Sequence, residues 1–137
     1  MSLVLDCSAT LAWLYPDETT DAIRAVFEKI HAEGGHVPML WRLEVANGLT
    51  IAVRRRRITA GFRSDALRAL ALEAIDVDTE TLAFAWTGTL QLADRSGLTV
   101  YDAAYLELAQ RRSLPLASLD GELRDAARAL GLSVLGA

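Results

Sequence analysis

Four acidic side chains in this 137-residue chain stand where carboxylates can do chemistry: Asp6, Glu44, Asp102 and Asp120. Asp6 closes the apolar run Leu3-Val4-Leu5, which reads as a buried strand. A carboxylate at the carboxyl end of a strand faces the crevice where α/β sheets place their ligands. The same position suits a helix cap, so Asp6 alone has two readings. Ser8, two residues on, is within reach of its carboxylate. Glu44 shares a helical face with Leu40, Asn47 and Ile51. Buried among apolar neighbours, a Glu and an Asn need partners, and Asn47 is placed to orient Glu44 or to coordinate beside it. The competing reading is an early-turn acid that favours the helix dipole.

Asp102 ends a Thr99-Val100-Tyr101-Asp102 segment that resembles a capping box. It also lies on a stripe with Leu98, Tyr105 and Leu106, which points it inward. Asp120 follows the apolar run Leu116 to Leu119 and can cap a last helix through Asp120-Gly121-Glu122-Leu123. Ser118 stands two residues before it, on the same side of an extended segment.

As a set the four suit a metal site. No HxH, CxxC or HExxH pattern is present, which argues against zinc. An all-oxygen, carboxylate-rich site suits Mg²⁺ or Mn²⁺. Two such ions, about 3.5–4 Å apart, are a standard device for phosphodiester hydrolysis. Arg54, Arg55, Arg56 and Arg57 end the helix that carries Glu44. They read either as favourable charge at a helix C-terminus or as a phosphate clamp for RNA, with Arg42, Arg111 and Arg112 as further candidates. Trp13, Trp41 and Trp86 read as core or interface, and His31 and His36 carry no acid–base role.

The elements that must hold these residues are short strands alternating with helices. Strands are expected at Leu3–Leu5, His36–Val37, Ala74–Val77, Pro115–Leu119 and Ser133–Leu135. Helices are expected at about Ala9–Tyr15, Thr20–Glu33, Leu40–Arg56, Ala60–Glu73, a long one from Asp78 or Thr79 to near Gly97, Val100–Arg112 and Glu122–Leu130. This alternation implies an α/β fold: a three-layer α/β/α sandwich around a short-stranded, mainly parallel sheet. There is no repeat or linker, and residues 1–137 read as a single domain.

Composition bounds the function classes. A chain 52% hydrophobic has material for a real core. No run approaches the ~20 apolar residues of a membrane span, and the N-terminus has no secretory pattern. Cys7 is the single cysteine and has no internal disulfide partner. A cytoplasmic protein without membrane contact is expected. The net charge of −4 is unlike that of a basic nucleic-acid binder, unless several acids are gathered around a cation.

The segments Leu3-Val-Leu-Asp6-Cys-Ser8-Ala, Trp41-Arg-Leu-Glu44-Val-Ala-Asn47, Tyr101-Asp102-Ala-Ala-Tyr105 and Ala117-Ser118-Leu-Asp120-Gly-Glu-Leu together resemble the signatures of the PIN domain. The likeness is greatest to its VapC branch, the toxins of type II toxin–antitoxin systems, and covers nearly the whole chain. It implies a PIN-like fold and a Mg²⁺- or Mn²⁺-dependent endoribonuclease acting on structured RNA such as tRNA or rRNA. The acidic site would fall on Asp6, Glu44, Asp102 and Asp120, supported by Ser118, Ser8 and Asn47. It also implies a homodimer and a cognate VapB-type antitoxin that buries an apolar groove between the early helices. Cys7 and Ser118 depart from the pattern, where Ser or Thr and Thr respectively are frequent.

Two rivals remain open on the residues. A phosphatase of the haloacid dehalogenase type also places Asp at the first strand's end. It normally wants a second acid two residues later, where this chain has Ser8, and the one lysine, Lys29, is badly placed. A non-catalytic interaction domain would use the acids only as caps.

Overall fold

Five strands run parallel in a single sheet: β1 (Leu3–Leu5), β2 (Gly35–Val37), β3 (Ile75–Val77), β4 (Leu116–Ala117) and β5 (Val134–Leu135), in the order β3-β2-β1-β4-β5. The computed structural model describes all residues, 1–137. Leu3, Val4 and Leu5 are fully buried, as expected of a central parallel strand covered on both faces. At about 25 cal/mol per Å² of apolar surface, each contributes on the order of 2 kcal/mol.

Seven α-helices connect and cover the sheet: α1 (Cys7–Leu14), α2 (Asp21–Glu33), α3 (Trp41–Arg54), α4 (Ala60–Leu70), α5 (Gly88–Ser96), α6 (Val100–Arg112) and α7 (Gly121–Ala129). α1 to α4 pack on one another, as do α5 to α7, and α6 lies against β1. Right-handed crossovers put these two groups on opposite faces, giving the three layers. Beyond β1 the chain first works outward through β2 and β3, then returns to the other side through β4. The carboxyl ends of β1 and β4 therefore flank the topological switch point, where such sheets open a crevice.

Local chemistry explains the elements. α2 is capped by Thr20, whose hydroxyl accepts from Ile23 N at 3.2 Å, and buries Ile23, Val26, Phe27 and Ile30 on one stripe. It stops at Gly34, whose φ of 83° suits glycine. α3 approaches α1 closely at Gly48, where a Cβ would meet Leu11 Cδ1 at 2.9 Å. That approach brings the first turn of α3 alongside the end of β1.

Several expected boundaries move. α1 opens at Cys7, because Asp6 takes the cap position. The expected strand Pro115–Leu119 contracts to β4: Ser118 N still donates to Leu135 O at 3.1 Å, but Leu119 N donates to Ser8 Oγ at 2.9 Å and not to a strand. The long helix expected from Asp78 or Thr79 to Gly97 is not formed. Residues 78–87 instead make a turn and a short 3₁₀ segment at Leu82–Phe84, and α5 begins only at Gly88. Thr87, at φ −121° and ψ −97°, breaks the helical path. Asp78 is buried against Arg111 and does not cap a helix. No helix is long and apolar enough to cross a membrane.

Candidate active site

Asp6 is held by both strands of the switch point. Its backbone N–H donates to Ala117 O at 3.1 Å, extending the β1–β4 pairing by one residue. The carboxylate caps α1, accepting from Ala9 N at 2.9 Å. Ser8 Oγ lies 2.7 and 2.9 Å from its two oxygens, and Ser118 Oγ donates to Oδ2 at 2.5 Å. The two serines also accept from the backbone after β4: Leu119 N to Ser8 at 2.9 Å and Asp120 N to Ser118 at 3.0 Å. A closed set of hydrogen bonds thus ties the end of β1 to the end of β4.

Asp120 caps α7, accepting from Leu123 N at 3.2 Å. Thr99 caps α6 and accepts from Asp102 N at 3.1 Å, which puts Asp102 in the first helical turn. Both carboxylates are thereby placed at helix N-termini, where the dipole favours negative charge. The cap and site readings do not compete in this fold: the cap geometry is what places the acids at one end of the sheet.

The four acids feel one another. Burial pushes the Asp6 carboxyl above its ordinary value of 3.8, and the charge of Asp120 pushes it further, against the hydrogen bonds from Ala9, Ser118 and Ser8. Burial, then the charges of Asp102 and Asp6, raise Glu44. Burial, then Asp120 and Glu122, raise Asp102. Desolvation and like charge both disfavour the ionised form. None of the four carboxylates takes part in an ion pair. This is a negatively charged crevice without an internal counter-charge.

Glu44 finds its partner in Tyr105, whose hydroxyl donates to Oε1 at 2.5 Å. Asn47, expected to orient Glu44, is exposed and makes no hydrogen bond to it. Helical spacing places Asn47 on the right side of α3, but the tertiary partner reaches Glu44 from α6. The sequence shows Tyr105 as a stripe residue and as the end of the Tyr101–Tyr105 segment, and gives no sign that it pairs with Glu44. Glu122 and Cys7 are the other additions to the neighbourhood. Cys7 is half-buried, and burial with the charges of Glu44 and Asp6 pushes its thiol up to about 12, so it remains protonated.

The basic candidates lie elsewhere. Arg54 ends α3, ten residues and so about 15 Å of helix beyond Glu44. Arg54, Arg55 and Arg56 are exposed. Arg57 is tied to Glu18 at 2.5 Å and Asp17 at 3.4 Å, over the Tyr15 ring. Arg111 and Arg112 are engaged by Asp78, Arg111 also by Glu107 and Glu80. Those contacts remove them as ready phosphate ligands. An open apolar groove of about 300 Å³ lies between the start of α3, residues 81–89 and the start of α6, with Leu43, Leu82 and Tyr101 among its lining. It is not the groove expected between the early helices.

The donor set fits a hard divalent cation. It is all oxygen, it carries uncompensated negative charge, and the nearby thiol is protonated. No three acids converge tightly enough to enclose an ion by themselves. Such an open rim suits Mg²⁺, which keeps several waters and is usually bound through one or two carboxylates.

The pattern of the PIN domain matches residues 3–129. The chain belongs to the PIN domain family. Among curated relatives it is 34% identical to Ribonuclease VapC3 of Pyrobaculum aerophilum over 126 residues, covering 91% of this chain and 94% of that protein. Two crystal structures share the PIN fold. PAE2754 from Pyrobaculum aerophilum superposes with a TM-score of 0.70 at 24% identity, covering 98% of this chain and 83% of the other. FitAcB from Neisseria gonorrhoeae does so with a TM-score of 0.66 at 17% identity, covering 98% and 96%.

Proposed function

We propose that this PIN domain is a Mg²⁺- or Mn²⁺-dependent endoribonuclease, the toxin of a toxin–antitoxin pair, cleaving structured cellular RNA such as tRNA or rRNA. The observation that carries this reading is the uncompensated carboxylate crevice at the switch point, with Asp6, Glu44, Asp102 and Asp120 coupled through their charges. The 34% identity to a ribonuclease over nearly the whole chain supports it.

In this mechanism Asp6, Glu44, Asp102 and Asp120 are the residues that would hold the cation at an open rim, with no three of them enclosing it. When bound, the ion offsets the charge that develops on the phosphate and makes water a better nucleophile. Ser8 and Ser118 keep both Asp6 oxygens in a fixed orientation. The N-termini of α1, α6 and α7 surround the same end of the sheet and add positive dipole ends. Water attacks phosphorus, the P–O bond to the leaving ribose oxygen breaks, and that oxygen takes up a proton. No covalent link between protein and RNA forms.

The proposed partners are RNA, a second copy of the chain as a homodimer, and a cognate VapB-type antitoxin, all in the cytoplasm. The exposed apolar side chains Leu43, Leu82, Trp86 and Tyr101 suit protein contact better than phosphate contact. Arg54, Arg55 and Arg56 are the proposed RNA contacts outside the crevice. The test is RNA cleavage by the purified chain, with 5′ ends of the fragments sequenced. Cleavage with Mn²⁺ or Mg²⁺ that stops in EDTA and in Asp6→Asn is expected. Cleavage that persists in EDTA overturns the reading.

A further inference from the structure

Each acid of the crevice stands at a helix start, Glu44 in the first turn of α3. Asp6 and Asp120 accept backbone N–H groups at the starts of α1 and α7, and Asp102 sits in the first turn of α6 behind the Thr99 cap. Glu44 has a longer side chain and no backbone donor. Its hydrogen bond comes from Tyr105, 61 residues away on α6. The Tyr105 side chain is 1% exposed, so core packing, not solvent, sets the position of its hydroxyl. Tyr105 follows Asp102 by three residues and is its neighbour on one helix face. α6 therefore carries one crevice carboxylate and the group that orients another.

The chemistry of the donor matters. An Arg or Lys at this position would neutralise Glu44 and remove its value to a cation. A neutral hydroxyl fixes the carboxylate while leaving its charge in place, and it leaves Oε2 unengaged by the protein.

We infer that Tyr105 is a positioning residue for metal binding: its hydroxyl, donated to Glu44 Oε1, holds the Glu44 carboxylate ready for a divalent cation. The inference rests on the metal-site reading above. Removing partners that orient metal ligands typically weakens metal affinity about 10–100-fold, and that is the size expected for Tyr105→Phe.

The experiment is calorimetric titration of Mn²⁺ into the purified wild type and Tyr105→Phe, with melting temperatures of both in EDTA. The expected result is a folded variant whose Kd for Mn²⁺ rises by about 10–100-fold. Repeated in a Glu44→Gln chain, Tyr105→Phe should change the Kd by no more than about twofold, because residues acting through one another are not additive. A variant that binds Mn²⁺ like the wild type, or one that loses the same factor with and without Glu44, overturns the inference. So does a variant that is unfolded in EDTA, since the phenyl ring fills the same space and the hydroxyl's role would then be structural. A wild type that takes up no Mn²⁺ overturns the metal-site reading itself, and the inference falls with it.

Discussion

Two clusters of acids lie at the carboxyl end of the same sheet, and they are built on opposite principles. Asp78, just beyond β3, is buried and paired with Arg111 Nη2 at 2.7 Å; Arg111 also takes Glu107 Oε1 at 2.7 Å and stacks over the Phe84 ring. Despite the burial that raises it, Asp78 sits below its ordinary 3.8, held there by Arg111 and Thr81. Asp6, just beyond β1, is equally buried but meets only neutral donors and other acids, and it is raised. One buried carboxylate has an internal cation and the other has none. The first cluster locks α6 to the edge of the sheet. The second gathers negative charge with no internal counter-charge.

The largest expected effect breaks the compensated cluster. Arg111→Met leaves Asp78 and Glu107 buried without their cation, which costs about 3 kcal/mol or more. For a chain of this size that lowers Tm by about 10 °C. Thermal melts at pH 7 check it, and a loss of only a degree or two would mean the network contributes little. The change should appear with or without Mn²⁺, because it lies outside the crevice.

The matching change in the open cluster acts on activity instead. Asp6→Asn should lower RNA cleavage about a hundredfold or more, as loss of an interaction made with the reacting centre. It should leave the melting temperature in EDTA unchanged or higher, since one of the mutually repelling charges is gone. Fragment assays with Mn²⁺ and melts in EDTA read the two effects separately. A destabilised but fully active Asp6→Asn would reverse the assignment of the two clusters.

The pH dependence separates the clusters without mutation. Asp6, Glu44 and Asp102 are raised, so the folded state binds more protons than the unfolded one. Their contribution is fully favourable below the ordinary values of 3.8 and 4.5 and is lost as pH rises through the raised values. Asp78 is lowered, so its contribution is present above 3.8 and is lost as pH falls through its folded value. The metal-free chain should therefore hold or gain Tm as pH falls from 7 toward 5 and lose it below about 4. Mn²⁺ should raise Tm most at neutral pH and flatten the gain, because the ion favours the ionised acids. Melts across pH in EDTA and in Mn²⁺ decide; a steady fall from pH 7 downward in EDTA would show that the crevice carries no stored repulsion.

The smallest effect concerns the arginines outside both clusters. Replacing Arg54, Arg55 and Arg56 by Ser should flatten the salt dependence of RNA binding by a log–log slope of about 0.7 per lost single-strand contact. Cleavage at saturating RNA should change little. An unchanged slope would leave these residues as helix-end charges.

Much of this was legible in the linear chain. The run Leu3-Val4-Leu5 ending in Asp6 announces a buried strand delivering an acid, and α6 occupies Val100–Arg112 as its period and the Thr99 cap imply. Thr20 and Gly34 frame α2 by local chemistry alone. The segment from 78 to 97 departs from the long helix its composition implies because that composition says nothing of Arg111, which draws Asp78 into the interior from 33 residues away. The contraction of β4 has the same origin: beyond Ser118, the Leu119 N–H is taken by the hydroxyl of Ser8, 111 residues distant, and not by a neighbouring strand.

By itself, then, the sequence determined the local quantities: which segments coil or extend, where caps stand, and which carboxylates sit at element ends. Caps and periodicity act within a few residues, so neighbours in the chain suffice to specify them. Only the tertiary structure decided which acids share a crevice, which are neutralised by arginine, and that Tyr105 rather than Asn47 serves Glu44. Charge–charge coupling and buried hydrogen bonds depend on distance in space. Residues far apart in sequence meet only after the crossovers have brought α6 and β4 against β1.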